Sequence, residues 1–78
     1  RDYLEFVHPL DQARVREAFV RHIKGDVDHF SCSYRIAAVG GGWVWLLGKG
    51  RVVERDGQGH ALRMLGTNRD ISQLMQVE

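Results

Sequence analysis

Four histidines and one cysteine are the side chains best suited to chemistry in this sequence, and their spacing argues against it. A zinc site needs several histidine, cysteine or carboxylate ligands at short, regular separations, such as two histidines four residues apart. No such set surrounds any histidine of the chain, which are His8, His22, His29 and His60. Cys32 lies on the apolar side of an alternating segment, where a cysteine is usually a small buried hydrophobic residue. The sequence therefore predicts no metal ligand, and it assigns Cys32 to the core.

Catalytic arrangements are not predicted either. The chain places no serine or cysteine beside a base and no pair of carboxylates at a plausible spacing. The run Gly40–Gly42 lacks the Lys-Ser/Thr pair and the following helix of a phosphate-binding loop, so it predicts a turn. We therefore expect a non-catalytic module.

The composition indicates one small domain with a thin core. The chain has 78 residues, and a domain of that size buries only about 60–65% of the surface that its unfolded form exposes. Its single cysteine rules out an intramolecular disulfide and favours a reducing, cytoplasmic compartment. A net charge of +1, from eleven basic and ten acidic residues, gives no indication of nucleic acid or of an anionic membrane surface. Neither a membrane span nor a signal peptide is predicted in these residues.

The central part of the chain predicts antiparallel strands. Residues 29–36 alternate strictly, with one apolar face made of Phe30, Cys32, Tyr34 and Ile36. The glycine turn at 40–42 separates this segment from a second, aromatic-rich strand that begins at Trp43. Gly48 and Gly50 interrupt the second strand and favour either a bulge or a close backbone approach. Which tryptophan of this strand faces inward stays open. A strong turn signal at 56–59 then predicts a third strand.

Helices are predicted on either side of these strands. Pro9 suits the first turn of a helix, and apolar residues recur from there at three- and four-residue spacing until Gly25 stops the pattern. Asp70 or Ser72 can cap a second helix that begins near residue 71. The predicted fold class is α+β: a main helix at about 9–24 on a three-stranded antiparallel sheet at about 28–37, 43–55 and 61–69.

The chain contains an ordered set of motifs, which are Val7-His8-Pro9-Leu10-Asp11, Tyr34-Arg35-Ile36, Trp43-x-Trp45, Asp56-Gly57-x-Gly59 and Leu65-Gly66-x-x-x-Asp70-Ile71-Ser72. In this order they resemble the C-terminal half of a bacterial PAS domain with its PAC segment, of the PAS fold-3 type. The resemblance implies a single partial PAS/PAC domain over 1–78, with 70–78 starting the linker to an effector domain. It also implies that the first two strands and the early helices of the family are absent.

The resemblance implies a place for the absent strands, beside the first strand here. The edge of that strand would then be bare, and an uncovered edge or apolar face invites another chain. We therefore expect a homodimer or a swapped assembly, formed through the exposed sheet edge or the apolar face.

Candidate site residues follow from the resemblance. Ligand-binding relatives imply a cavity between helix and sheet with Phe19, Phe30, Tyr34 and Trp45 in its wall, although a filled core is favoured at this chain length. Haem-binding relatives use a histidine of the preceding helix, which is His22 here, but the charged neighbours of His22 favour solvent. Flavin-adduct relatives carry their cysteine in a helix motif that this sequence lacks. No cofactor is expected in these residues.

The closing Asp70-Ile71-Ser72 resembles the signature that couples the PAS sheet to its output helix. The resemblance implies a signal relay of Asp70, Ile71, Ser72 and Arg51, in which the basic partner of Asp70 is Lys49, Arg51 or Arg69. The implied function is a sensory and dimerisation module of a two-component or cyclic-di-GMP signalling protein, whose effector is a diguanylate cyclase, a phosphodiesterase or a histidine kinase. Two alternatives stay open: a haem- or flavin-binding redox or light sensor, and a structural spacer without ligand.

Overall fold

A computed structural model describes residues 3–75 of the chain. After a short 3-10 helix at Tyr3–Phe6 come helix α1 (Gln12–Ile23) and strands β1 (Phe30–Ala37), β2 (Trp43–Arg55) and β3 (Ala61–Asp70). The strands form one antiparallel sheet in the order β1-β2-β3, and α1 packs on one face of it. The predicted α+β class and the three strands are therefore confirmed. No helix in the described range is long and apolar enough to cross a membrane.

The core lies between α1 and the apolar face of β1. Val7, Val15, Cys32 and Tyr34 form its buried centre, and Phe30 and Ile36 pack against them as the alternation predicts: residues of one parity face the helix. Leu46 belongs to this core and pairs with Tyr34, so the even-numbered residues of β2 up to Val52 share the helix-facing side. This side of the sheet is called the inner face below, and the other side the outer face.

The two hairpin turns form where glycines can take positive φ. Gly41 and Gly42 have φ values of 102° and 77°, and Gly59 has 87°. The second turn is also held by Asp56, whose carboxylate accepts the backbone N–H groups of Gln58 and His60 at 2.8 and 2.9 Å. Both predicted turns are confirmed.

Helix α1 begins at Gln12, three residues later than predicted. The prediction was wrong because Pro9 lies in a turn before the helix and not in its first turn. Within that turn the Asp11 N–H donates to the His8 carbonyl at 2.8 Å, and the Leu10 N–H donates to His8 Nδ1 at 3.0 Å. Asp11 stands at the N-cap position, but its carboxylate is directed to the sheet and bonds no helix N–H.

The outer edge of β1 is not bare, which corrects the expectation drawn from the resemblance. Val7 forms a bridge with Ile36, and the His8 N–H donates to the Arg35 carbonyl at 2.9 Å. The Asp11 carboxylate accepts a hydrogen bond from the Arg35 N–H at 2.8 Å. The segment before α1 therefore occupies the place of a neighbouring strand. Within residues 3–75, the long edge without a neighbouring strand belongs to β3 instead.

After β3 the described chain forms one turn. The Met75 N–H donates to the Ile71 carbonyl at 3.1 Å, the spacing of a helical turn. The remainder of the predicted output helix, residues 76–78, lies outside the described residues.

Candidate functional site

Three glycines form a floor on the inner face of β2 and β3, and the Tyr34 ring and the Met64 methyl group lie over two of them. Gly48, Gly50 and Gly66 lie close together, because Gly50 and Gly66 are register partners and Gly48 stands two residues along β2. A Cβ on Gly48 would come within 3.1 Å of the Tyr34 ring, and one on Gly66 within 2.7 Å of the Lys49 carbonyl oxygen. The sequence left open whether Gly48 and Gly50 mark a bulge or a close approach to the backbone, and the structure shows a close approach. The bulges in β2 fall farther on, between Val52 and Arg55.

A cavity of about 490 Å³ lies above this glycine floor, on the side of α1. Its walls are largely apolar and aromatic, and its lining includes Tyr3, Leu4, Val15, Phe19, Phe30, Tyr34 and Met64. Phe19 and Phe30 meet edge to face, with ring centroids 5.9 Å apart. The volume falls in the range typical of small-molecule sites.

A chain of hydrogen bonds crosses one wall of the cavity. The Tyr34 hydroxyl donates to Asn68 Oδ1 at 3.1 Å and lies 2.7 Å from the Tyr3 hydroxyl, which must then donate to Tyr34. Burial raises the pKa of the Tyr34 phenol, and the bond with Tyr3 raises it further. The phenol therefore stays protonated near neutral pH, so the wall presents neutral donors and acceptors to the cavity.

The structure places three of the four predicted cavity residues in the cavity wall. Phe19, Phe30 and Tyr34 line it, whereas Trp45 does not. Trp45 has Arg35 as its register partner and belongs to the outer face, where the Arg35 guanidinium lies 5.0 Å from the centroid of the indole. Leu46 and the glycines occupy the inner positions of β2. The even-numbered residues of this strand therefore face α1, and Trp45 faces away from it. Ligand binding by the three lining residues stays a prediction.

His22 is buried, which corrects the expectation that it faces solvent. Its Nε2 accepts the Val52 N–H at 2.9 Å, so Nδ1 carries the proton and donates to the Val27 carbonyl at 3.0 Å. Arg55 reaches the same end of α1, donating to the Ile23 carbonyl at 3.0 Å. His22 therefore joins the end of α1, the following loop and β2.

The described residues do not fit the haem and flavin-adduct chemistry of the alternative reading. Both ring nitrogens of His22 are used in hydrogen bonds, and no histidine or cysteine lines the cavity within residues 3–75. Burial raises the pKa of the Cys32 thiol, and Arg14 donates to its sulfur at 3.2 Å. An iron ligand from histidine or an adduct-forming thiolate is thus not presented to the cavity. No group of three or more metal-ligating side chains occurs in the described part of the chain.

A buried carboxylate joins the start of α1 to β1. The Arg35 side chain donates to both oxygens of Asp11, from Nε at 2.9 Å and from Nη2 at 2.8 Å. Arg14 adds a contact of 3.1 Å to the same carboxylate. Only 3% of Asp11 is exposed. The hydrogen bond from Arg35 holds the pKa of Asp11 well below its usual range, because it stabilises the ionised form.

The exit from β3 is bonded to the backbone of Trp45. The Ile71 N–H donates to the Trp45 carbonyl at 3.0 Å, and the Trp45 N–H donates to Ser72 Oγ at 3.3 Å. The Asp70 carboxylate accepts a hydrogen bond from the Ser72 N–H at 2.8 Å, and this bond lowers the pKa of Asp70. Ile71 is buried. The first residues after the sheet are therefore attached to its central strand.

The candidate basic partners of Asp70 lie across the sheet from it. Asp70 pairs with Leu46 on the inner face, whereas Arg51, Lys49 and Arg69 hold positions of the opposite parity. No ion pair to Asp70 forms among residues 3–75. The alternation of residues along each strand, which can be read from the sequence, would have placed Asp70 and these basic residues on opposite faces of the sheet.

Comparison with known proteins now identifies the class of this domain. The chain matches the family model described as PAS fold over residues 1–68, and it therefore belongs to the PAS fold family. Comparison with curated proteins gave no significant match.

Solved structures agree with this family. A sensory box histidine kinase/response regulator from Burkholderia thailandensis E264 superposes with a TM-score of 0.82 at 28% identity, over 90% of this chain and 52% of its own. The PAS domain of a GGDEF family protein from Chromobacterium violaceum ATCC 12472 superposes with a TM-score of 0.52 at 34% identity, over 90% of this chain and 63% of its own. The chain thus spans less than two thirds of either structure.

Proposed function

We propose that this PAS domain is a cytoplasmic sensory and dimerisation module, without catalysis of its own, in a multidomain signalling protein. The similar structures come from a sensory histidine kinase and a GGDEF protein, which supports an attached effector of the histidine kinase, diguanylate cyclase or phosphodiesterase type. A signal that changes the packing of α1 on the sheet would reach this effector through the chain that leaves β3.

The observation that carries the proposal is the continuous set of contacts from α1 to the exit. Asp11 at the start of α1 is bonded to Arg35, Arg35 lies over Trp45, and the Trp45 backbone is bonded to Ile71 and Ser72. A shift of α1 therefore acts on the segment that drives the output. Asp70, Ile71 and Ser72 are retained as relay residues in this proposal, with Trp45 and Arg35 in the role first assigned to Arg51.

Replacing Ser72 with alanine tests the relay in the full-length protein. The change removes the oxygen that accepts the Trp45 N–H but leaves the core intact, since Ser72 is only half-buried. We expect the ratio of stimulated to basal effector activity to change about 3- to 10-fold, which lies within the range by which single mutations modulate an allosteric coupling. Kinase autophosphorylation, or synthesis or hydrolysis of the cyclic dinucleotide, provides the measurement. Gln73→Ala, at an exposed neighbouring position, is the matched control. Equal ratios for the two variants would refute the relay.

The dimer is proposed to form through the outer face. Its apolar side chains include Trp43, Trp45 and Leu47, and 49% of Trp43 is exposed. A second copy that covers these side chains would remove apolar surface from water. The partly occupied edge of β1 favours this face over that edge.

Sedimentation equilibrium at micromolar concentration tests the dimer. Leu47→Glu places a carboxylate in the proposed interface next to its register partner Arg69, which can accept the new charge in the monomer. We expect this variant to sediment as a monomer. Leu62→Glu, on the inner-face parity of β3 where 59% of the leucine is exposed, should stay dimeric. A compact monomer in the unmodified protein, or loss of the dimer in both variants, would contradict the proposal.

A further inference from the structure

We propose that the cavity above the glycine floor binds a planar aromatic molecule that carries an acidic group, an aromatic carboxylate being the simplest example. This inference rests on the proposed sensory function, because it names the class of signal that the cavity would take.

The side chains over the glycine floor favour a flat aromatic ligand. A Cβ on Gly48 would meet the Tyr34 ring at 3.1 Å and one on Gly50 would meet the Met64 methyl group at 2.5 Å, so these two side chains lie over the floor. The Phe19–Phe30 pair stands at the helix side of the cavity. A ring system in the cavity would meet an aromatic ring and a thioether below and aromatic edges beside it, which are contacts that aromatic groups favour.

The polar groups of the cavity define where the ligand needs a hydrogen-bond acceptor. Asn68 Oδ1 is occupied by the Tyr34 hydroxyl, so the Asn68 amide nitrogen is the donor left over in this wall. That nitrogen has no partner within residues 3–75. A ring nitrogen or carbonyl oxygen on the ligand would satisfy it.

The charges around the cavity favour an anion. Arg16 lines the cavity on the helix side and makes no ion pair within residues 3–75, and no acidic residue lines the cavity in that range. Lys49 also contributes to the lining, although its side-chain position belongs to the outer face. A carboxylate directed to Arg16 would form a charge-assisted bond that a neutral molecule lacks.

Isothermal titration calorimetry with three probes tests the ligand class on the full-length protein. We expect 2-naphthoate to bind about 10-fold more tightly than 2-naphthalenemethanol, which has the ring without the charge, and than decahydro-2-naphthoate, which has the charge without the planar ring. Equal affinity for the decahydro compound would overturn the requirement for planarity, and equal affinity for the alcohol would overturn the requirement for an acid.

Two substitutions locate the probe within the cavity. Arg16→Gln should weaken 2-naphthoate binding about 5- to 10-fold and leave binding of the alcohol unaffected. Arg21→Gln, on the same helix but outside the lining, should change neither affinity.

Gly50→Ala places a Cβ 2.5 Å from the Met64 Cε, which must then move from its place on the floor. We expect about 10-fold weaker binding from this variant, with a thermal melt to confirm that it folds. Unchanged binding in Gly50→Ala would overturn the site. Because the relay test reads effector activity, a failure of the ligand class is distinguishable from a failure of the proposed function.

Discussion

Replacing Asp11 with asparagine should lower the free energy of unfolding by about 2–3 kcal/mol. The substitution keeps the shape of the side chain but removes the charge that Arg35 and Arg14 contact, in a position where the carboxylate is 4% exposed. The Arg35 side chain is 26% exposed and can recover some hydration, which keeps the loss below that of a fully buried pair. A single small core holds only about 3–5 kcal/mol. Chemical denaturation should therefore find the variant close to unfolding.

The same carboxylate should make the domain sensitive to acid. The pKa of Asp11 is lower in the folded chain than in the unfolded chain, so its contribution to stability is complete above the unfolded value of about 4 and declines as the pH falls below it. Asp11→Asn should flatten the decline in stability over that range. Asp26→Asn, at an exposed aspartate beyond the helix, should change stability by less than about 0.5 kcal/mol and keep the acid slope. An unchanged slope in Asp11→Asn would show that another carboxylate controls acid unfolding.

Replacing His22 with alanine is the second substitution with a large expected effect. The change leaves the Val52 N–H and the Val27 carbonyl without their side-chain partner and opens a gap where 3% of the histidine is exposed. We expect the free energy of unfolding to fall by about 2–3 kcal/mol. Urea denaturation followed by far-ultraviolet circular dichroism measures it.

His60→Ala is the matched control for this substitution. The His60 side chain is 70% exposed, and its one polar contact among residues 3–75 is with Asp56, at 3.0 Å, in the turn between β2 and β3. Its loss should change stability by less than about 0.5 kcal/mol. If both alanine variants unfold at the same urea concentration as the unmodified chain, the bonds of His22 contribute nothing to stability.

The sequence predicts the sheet well because apolar and polar residues alternate in β1 as buried and exposed positions alternate along the strand. Phe30, Tyr34 and Ile36 pack on the core as expected, and β2 has the predicted bounds, Trp43–Arg55. The family resemblance is confirmed by the match over residues 1–68. Periodicity and turn glycines thus determine the strands, since both signals are local.

The features that the sequence could not predict depend on contacts between distant segments. His22 is flanked by charged residues and looks solvent-exposed, yet β2 brings the Val52 N–H to its ring. Trp45 is as apolar as any core residue, but the core position of Leu46 turns it to the outer face. The resemblance implied a cavity and three of the residues that line it, but the chain length favoured a filled core, and glycines in a strand do not reveal which side chains will surround them.

The occupied edge of β1 limits how copies of this chain can assemble through backbone pairing. Between Ser33 and Ile36 that edge is covered by the segment before α1 and by Arg14, so a foreign strand finds few unpaired groups there. Pairing of β3 with β3 of a second copy would then close after two chains, since residues 3–75 of either copy present no second long free edge. Open-ended growth into fibres needs two such edges, and this sheet is thereby protected from it.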